Sequence, residues 1–154
     1  MPPSAGCYDQ LVNGSFSDGL SAWRQGKNPL LPGSTIDPVL TAPFAAALGT
    51  RVQNLNSFSS IRQTVALPFV YDRVFISFWA YTWAESLAGS DRQQFVILGP
   101  GDVVWATPWQ VLENEQAWRQ HMFELTGAPG STIDVYFAAI NDGAGGRTAL
   151  YIDE

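Results

Sequence analysis

The sequence predicts an all-β fold, an antiparallel two-sheet β-sandwich, on three observations. Strand-favouring segments recur roughly every ten to fifteen residues, with Gly, Pro and Asn turn signals between them. No window holds a 3.6-residue apolar period for three turns. The longest strand-favouring run, VFISFWAYTWA from Val74 to Ala84, alternates at period two. Val74, Ile76, Phe78, Ala80 and Thr82 form one apolar face, and Phe75, Ser77, Trp79, Tyr81 and Trp83 form the other.

The elements follow in order. Residues 1–7 read as a flexible leader rich in Pro, Ser and Gly, followed by a single domain over residues 8–154. Tyr8 to Val12 is a first short strand, and Asn13-Gly14 and Asp18-Gly19 are turn dipeptides. From Trp23 the chain meets Pro29, Pro32, Gly33 and Pro38, so this stretch is loop with short strand pieces. Ala45 to Leu55 sets Ala47, Gly49, Arg51 and Gln53 against Leu48, Val52 and Leu55, a half-buried strand with one polar face. Ile61 to Leu67 alternates until Pro68 ends it.

After the polar loop Glu85 to Asp91, the strand Gln93 to Leu98 reaches Gly99-Pro100-Gly101-Asp102, a four-residue hairpin signal answered by Val103 to Thr107. Pro108 is expected to close that strand, and Trp109 to Ala117 has the only helical flavour. Trp118 to Leu125 alternates again. After a turn at Gly127 to Gly130, Thr132 to Ile140 points Ile133, Val135, Phe137 and Ala139 inward. A Gly-rich loop, Asn141 to Gly146, leads to a last strand from Arg147 to Asp153. Eight or more such strands without helices make a jelly roll the expected form.

Composition narrows the function. Only 14% of the 154 residues are charged and the net charge is −6, which argues against nucleic acid and against anionic membrane surfaces, since both require clustered Lys and Arg. Low charge with polar uncharged cover suits an extracellular or cell-surface β protein. Cys7 is the one cysteine, so no intrachain disulfide forms.

Five segments together carry a resemblance. Leu11-Val12-Asn13-Gly14-Ser15-Phe16 with Trp23, the strand Ile61 to Pro68, Phe78-Trp79-Ala80-Tyr81, Trp118 through Phe123-Glu124-Leu125, and Tyr151-Ile152-Asp153-Glu154 resemble, in order and spacing, bacterial jelly-roll carbohydrate-binding modules of the CenC-like type, with a galactose-binding-like fold. The resemblance implies a secreted module that binds polysaccharide, with a structural Ca²⁺ tied to the opening turn and the last strand. Ser17 stands where that pattern has a Glu. Asn13, Asp18 and Asp153 are then the remaining oxygen ligands; the alternative is that Asp18 belongs to an Asp-Gly turn and Asp153 to the chain end. The pattern's final strand would run on past Glu154, as expected for a piece of a longer parent or a strand completed by a neighbour.

No catalytic constellation is visible, and the chain is expected not to be an enzyme. His121 is the single histidine and shares a face with Phe123 and Leu125, so a core or sheet-edge role is expected. Glu85, Asp91, Glu113, Glu115 and Asp142 all fall in loops, where solvated charge is the rule. Sugars present flat C–H faces and equatorial hydroxyls, which pair with aromatic planes and planar hydrogen-bonding groups. Trp79, Tyr81 and Trp83 are the candidate planes, with Trp109 and Trp118 as further ones. Asn141, Asp142 and Arg147 are the polar candidates beside them, seconded by Gln94 and Glu85. A buried second core layer is the alternative for the rings, and an Arg147–Asp142 pair that braces the loop is the alternative for the polar set.

Two functions stay open: a non-catalytic binding module for a polysaccharide or glycan, and a structural subunit of an extracellular adhesin or filament that assembles through the same face and the open final strand.

Overall fold

The computed structural model describes residues 9–69, 73–126 and 130–154. The leader, Cys7, Tyr8 and most of the expected Gly127 turn lie outside the described residues. Among the described residues there are ten strands: β1 (Arg24–Asn28), β2 (Gly33–Thr35), β3 (Ala45–Gly49), β4 (Asn56–Ala66), β5 (Val74–Ala84), β6 (Arg92–Leu98), β7 (Val104–Val111), β8 (Trp118–Leu125), β9 (Thr132–Asp142) and β10 (Thr148–Asp153). They form two five-stranded sheets, β1-β4-β9-β6-β7 and β2-β3-β10-β5-β8, and every pairing is antiparallel. The fold is the expected jelly-roll sandwich. Among the described residues the one helical piece is a 3-10 turn at Pro100–Asp102, inside the predicted hairpin. None of the described residues forms a helix long and apolar enough to cross a membrane.

β5 and β8 have the predicted bounds. Four expectations do not match. The strand expected over Ala45 to Leu55 ends at Gly49, where φ +74 turns the chain out of the sheet. Residues 9–12 form no strand. β4 starts at Asn56, ahead of Ile61, because Ser57 and Ser59 continue its buried face. β7 continues through Pro108 to Val111; it is the edge strand of its sheet, where a residue without an N–H costs no ladder bond. The helical flavour expected from Trp109 onward is therefore replaced by strand, and Gln93 and Gln94 pair with Val111 and Gln110.

The inward faces meet around an aromatic centre. Phe78 of β5 packs on Phe95 (5.0 Å) and Phe137 (4.8 Å), and Phe95 stacks on Phe137 at 4.9 Å. Phe16 and Trp23 stack at 5.3 Å and close one end against Phe137. One polar side chain bridges the sheets within this core. The fully buried Gln93 of β6 donates through Nε2 to the carbonyls of Trp83 (3.2 Å) and Ala149 (3.2 Å) in the other sheet, and to Glu113 (3.0 Å); its Oε1 accepts from the Glu113 N–H. With its polar atoms satisfied, Gln93 fixes the register between β6, β5 and β10 at little desolvation cost.

Candidate functional site: an aromatic face on the second sheet

The period-two pattern of β5 sorts its side chains as expected. Ile76, Phe78, Ala80, Thr82 and Ala84 are buried, while Trp79, Tyr81 and Trp83 face outward and are half-buried. Residues directly opposite on paired strands share a face, so register extends the row sideways. Tyr81 lies opposite Trp118 of β8 and opposite Tyr151 of β10. Its ring meets both edge-on, with centroids 5.7 Å apart in each case. The result is a cross of five rings: Trp79, Tyr81 and Trp83 along β5, and Trp118, Tyr81 and Tyr151 across three strands.

Arg51 lies against this cross. Its guanidinium is 4.8 Å from the Tyr151 centroid, 5.4 Å from Trp83 and 5.5 Å from Tyr81. The chain brings it there in a bend after β3. Gly49 has φ +74, and a Cβ there would meet the Thr148 carbonyl at 2.3 Å, so only glycine lets β3 run this close to β10. Thr50 N–H then donates to the Thr148 carbonyl (3.0 Å), and Thr50 Oγ1 accepts from the Val52 N–H. Arg147 Nη1 holds the Arg51 carbonyl at 2.6 Å.

Arg147 itself lies 5.6 Å from the Trp83 ring and is paired in a fork with Glu85, at 2.9 Å from Nη2 to Oε1 and 2.9 Å from Nε to Oε2. Hydrogen bonds from the Arg147 side chain, then from its backbone, hold the Glu85 carboxyl below its ordinary value. Glu85 and Arg147 therefore stand at the Trp83 end of the face, and the alternative Arg147–Asp142 pair is overturned.

The remaining predicted residues lie elsewhere. Trp109 is buried in the core between Phe78 (5.9 Å) and His121 (4.9 Å), because β7 extends past Pro108 and turns it inward; it is not a surface plane. Asn141 is buried and braces the Gly-rich loop, donating to the Gly146 carbonyl and accepting from the Gly143 N–H. Asp142 accepts from the Ser90 hydroxyl (2.7 Å) and from the N–H groups of Ser90 and Ala144, bonds that hold its carboxyl down at about 2. Both brace the Gly-rich loop. His121 stacks on Phe78 at 5.3 Å, as its strand period predicts. It lines a cavity of about 310 Å³ at the β5–β8 edge with Thr82, Glu113, Glu115 and Arg119, where Glu115 is paired with Arg119 at 2.7 Å.

Gln94 lies in the opposite sheet. It lines a groove of about 430 Å³ on that sheet's outward face with Arg62, Val96, Asp102, Thr107 and Tyr136. This groove belongs to the sheet opposite the one that carries Trp79, Tyr81 and Trp83. Its charges are matched internally: Arg62 pairs with Asp102 (2.8 Å) and Asp134 (3.5 Å), and Arg24 pairs with Asp134 (2.7 Å).

Of the candidate calcium ligands Asn13, Asp18 and Asp153, the side chains of Asn13 and Asp153 are engaged by the chain itself. Asn13 Oδ1 accepts from the Asp18 N–H, and its Nδ2 donates to the carbonyls of Gly19 and Ser21. Asp153 is fully buried; its Oδ2 accepts from the N–H groups of Leu40 (3.1 Å) and Thr41 (2.8 Å), and its Oδ1 from Glu154 (3.0 Å). No group of three or more His, Cys, Asp or Glu is gathered for a metal among the described residues. A hard cation at Asp153 would share or displace the backbone N–H groups there.

Arg51 and Tyr151 are the members of the face that the motif reading missed. The available signal for Arg51 is its place on the polar side of the expected strand Ala45 to Leu55; Tyr151 joins the face through its register opposite Tyr81.

No protein-family model matches the chain, and no curated protein matches it in sequence. The fold recurs among solved structures. The chain aligns over 96% of its length with 95% of the family 61 carbohydrate-binding module TmCBM61, solved with β-1,4-galactotriose, at a TM-score of 0.69 and 13% identity. It aligns over 95% of its length with 96% of a family 16 carbohydrate-binding module (TM-score 0.61, 15% identity). A cleaved adhesin domain of Lys-gingipain from Porphyromonas gingivalis matches 91% of this chain over 92% of its own length (TM-score 0.62, 14% identity). At these identities the likeness is one of fold.

Proposed function

We propose that the chain is a non-catalytic carbohydrate-binding module, exported or displayed at a cell surface, that holds a polysaccharide against the outward face of β5 and its neighbours. The observation that carries this reading is the cross of rings. Trp79, Tyr81, Trp83 and Trp118 are half-buried on one outward face, although such area would be removed from water if folding alone governed its use. Each ring offers an apolar plane with a polar N–H or O–H at its rim, the combination that a sugar's C–H face and hydroxyls match. Trp79 and Trp83 are four residues apart on one strand, about 13 Å, room for more than one sugar ring. The two carbohydrate-binding modules of like fold support the reading as companions in architecture. The groove around Gln94 and Tyr136 is the competing location. Its charges already satisfy one another, whereas Arg51 beside the rings takes part in no ion pair among the described residues.

A second reading, a subunit of an extracellular adhesin or filament, is favoured by Phe75 and Met122, which are 49% and 60% exposed beside the rings on the same outward face. Electrophoresis through gels containing single polysaccharides, run beside a measurement of mass against concentration, separates the two. A monomer retarded by a glycan supports the module. A concentration-dependent polymer that no glycan retards supports the subunit.

A further inference from the structure

Arg51 is held where its charge has no partner among the described residues. It takes part in none of the ion pairs among the described residues, and its Nε and Nη2 are buried with no hydrogen-bond acceptor. Its neighbour Arg147 is neutralised by the two-pronged bond to Glu85. Asp37, whose field reaches Tyr151 as that of Arg51 does, makes no ion pair with it. A guanidinium stays charged at any physiological pH, and its buried N–H groups are costly to leave unpaired. Three ring faces recover part of that cost by cation–π attraction but accept none of the in-plane N–H bonds. Arg147 and Thr148 hold the bend that carries the guanidinium. The arrangement is therefore a planar donor set beside the proposed sugar platform, with one positive charge that no described carboxylate compensates.

We infer that Arg51 receives an oxyanion carried by the glycan, and that the polysaccharide is acidic, a chain containing uronic acid. This rests on the carbohydrate-binding reading of the same face and names its substrate class. A carboxylate is flat and accepts two parallel N–H bonds from a guanidinium, a closer match than a neutral hydroxyl offers. Nε and Nη2 are buried against the rings, so the paired bonds to a carboxylate form as the guanidinium turns outward from them, a movement that breaks no hydrogen bond of these two nitrogens. The net charge of −6 opposes a polyanion at long range. The site therefore reads one acidic sugar at a fixed place and does not act as a general polyanion surface.

The test uses the whole chain at 0.15 M salt, where the Debye length is about 8 Å, with a chelator present so that calcium cannot bridge carboxylates. Retention is measured on polygalacturonate, on its methyl-esterified form, on alginate, on a sulfated galactan and on neutral β-1,4-galactan. Retention by polygalacturonate or alginate, with esterification or Arg51→Gln weakening polygalacturonate binding by at least about tenfold, is the expected result. Arg51→Lys should recover only part, since an ammonium keeps the charge without the fork. The ester comparison uses the unmutated chain, so it decides the question even if Arg51→Gln fails to fold. Binding to galactan alone, or equal binding to free acid and ester, overturns the acidic ligand and leaves the carbohydrate-binding reading standing. Binding to the sulfated galactan alone assigns the site to a sulfate ester and overturns the uronate. Retention by no glycan overturns both readings.

Discussion

Trp83 and Trp109 show how the same residue type serves opposite purposes in one chain. Trp109 is 8% exposed and wedged against Phe78 and His121, so Trp109→Ala should cost roughly 3–5 kcal/mol and be visible as a large fall in melting temperature. Trp83 is half-buried on the outward face, and Trp83→Ala should cost about 1 kcal/mol or less. Equal losses in thermal melts of the two variants would place Trp83 in a second core layer. His121 tests the inner packing through pH. Burial lowers its pKa from 6.5, so the folded state prefers neutral imidazole. The stabilisation that follows is complete above pH 6.5 and is lost as pH falls through the lowered value. His121→Phe keeps a ring in the stack and cannot titrate. Its melting temperature should therefore fall less than that of the unmutated chain between pH 7 and pH 5, and parallel profiles would remove His121 from the explanation.

Among the strands, legibility followed the kind of physical information each one carries. β5 and β8 were readable to the residue because clean alternation with one buried face fixes both existence and register. β7 was not, because a proline ends a central strand but not an edge strand, and sequence alone does not say which strands are edges. Trp109 was misplaced for the same reason. β1 and β2, five and three residues long, are the short strand pieces expected in the loop after Trp23; they are held by pairing with β4 and β3 rather than by their own pattern, so the sequence sets no bounds for them. Of the site, the rows along β5 were legible, but the cross-strand partners Trp118 and Tyr151 depend on register, and Arg51 depends on a bend between strands. The calcium expectation also belongs to this scale, because it would join the turn at Asn13–Asp18 to β10. An ion binding only the folded state would stabilise it by roughly 2.7 kcal/mol at a hundredfold excess over Kd. With the Asp153 oxygens already held by three backbone N–H groups, melting in chelator and in millimolar calcium should coincide. A rise with calcium would mean that Asp153 releases those amides to the ion.

At the scale of the whole molecule, the sandwich offers two outward faces of different character. The first sheet carries a polar groove whose ion pairs link β1, β4, β9 and the turn before β7. The second carries rings and one unmatched cation, framed by the Glu85–Arg147 pair. The two faces are separated by the full thickness of the core, so substitutions on one leave the other unaltered and their effects on a common ligand should add independently. The most direct test compares retention in polysaccharide gels for the unmutated chain, for Trp79→Ala and Trp83→Ala, and for Gln94→Ala and Tyr136→Ala, with a thermal melt of each. The expected result is retention of the unmutated chain by at least one glycan and a loss of at least about tenfold in both Trp variants, or roughly 1.4 kcal/mol. The melting temperatures of those variants should stay near the unmutated value, and the Gln94 and Tyr136 variants should bind normally. Normal binding by both Trp variants with loss in the Gln94 and Tyr136 variants would move the site to the groove, and no retention of the unmutated chain by any glycan would contradict carbohydrate binding itself.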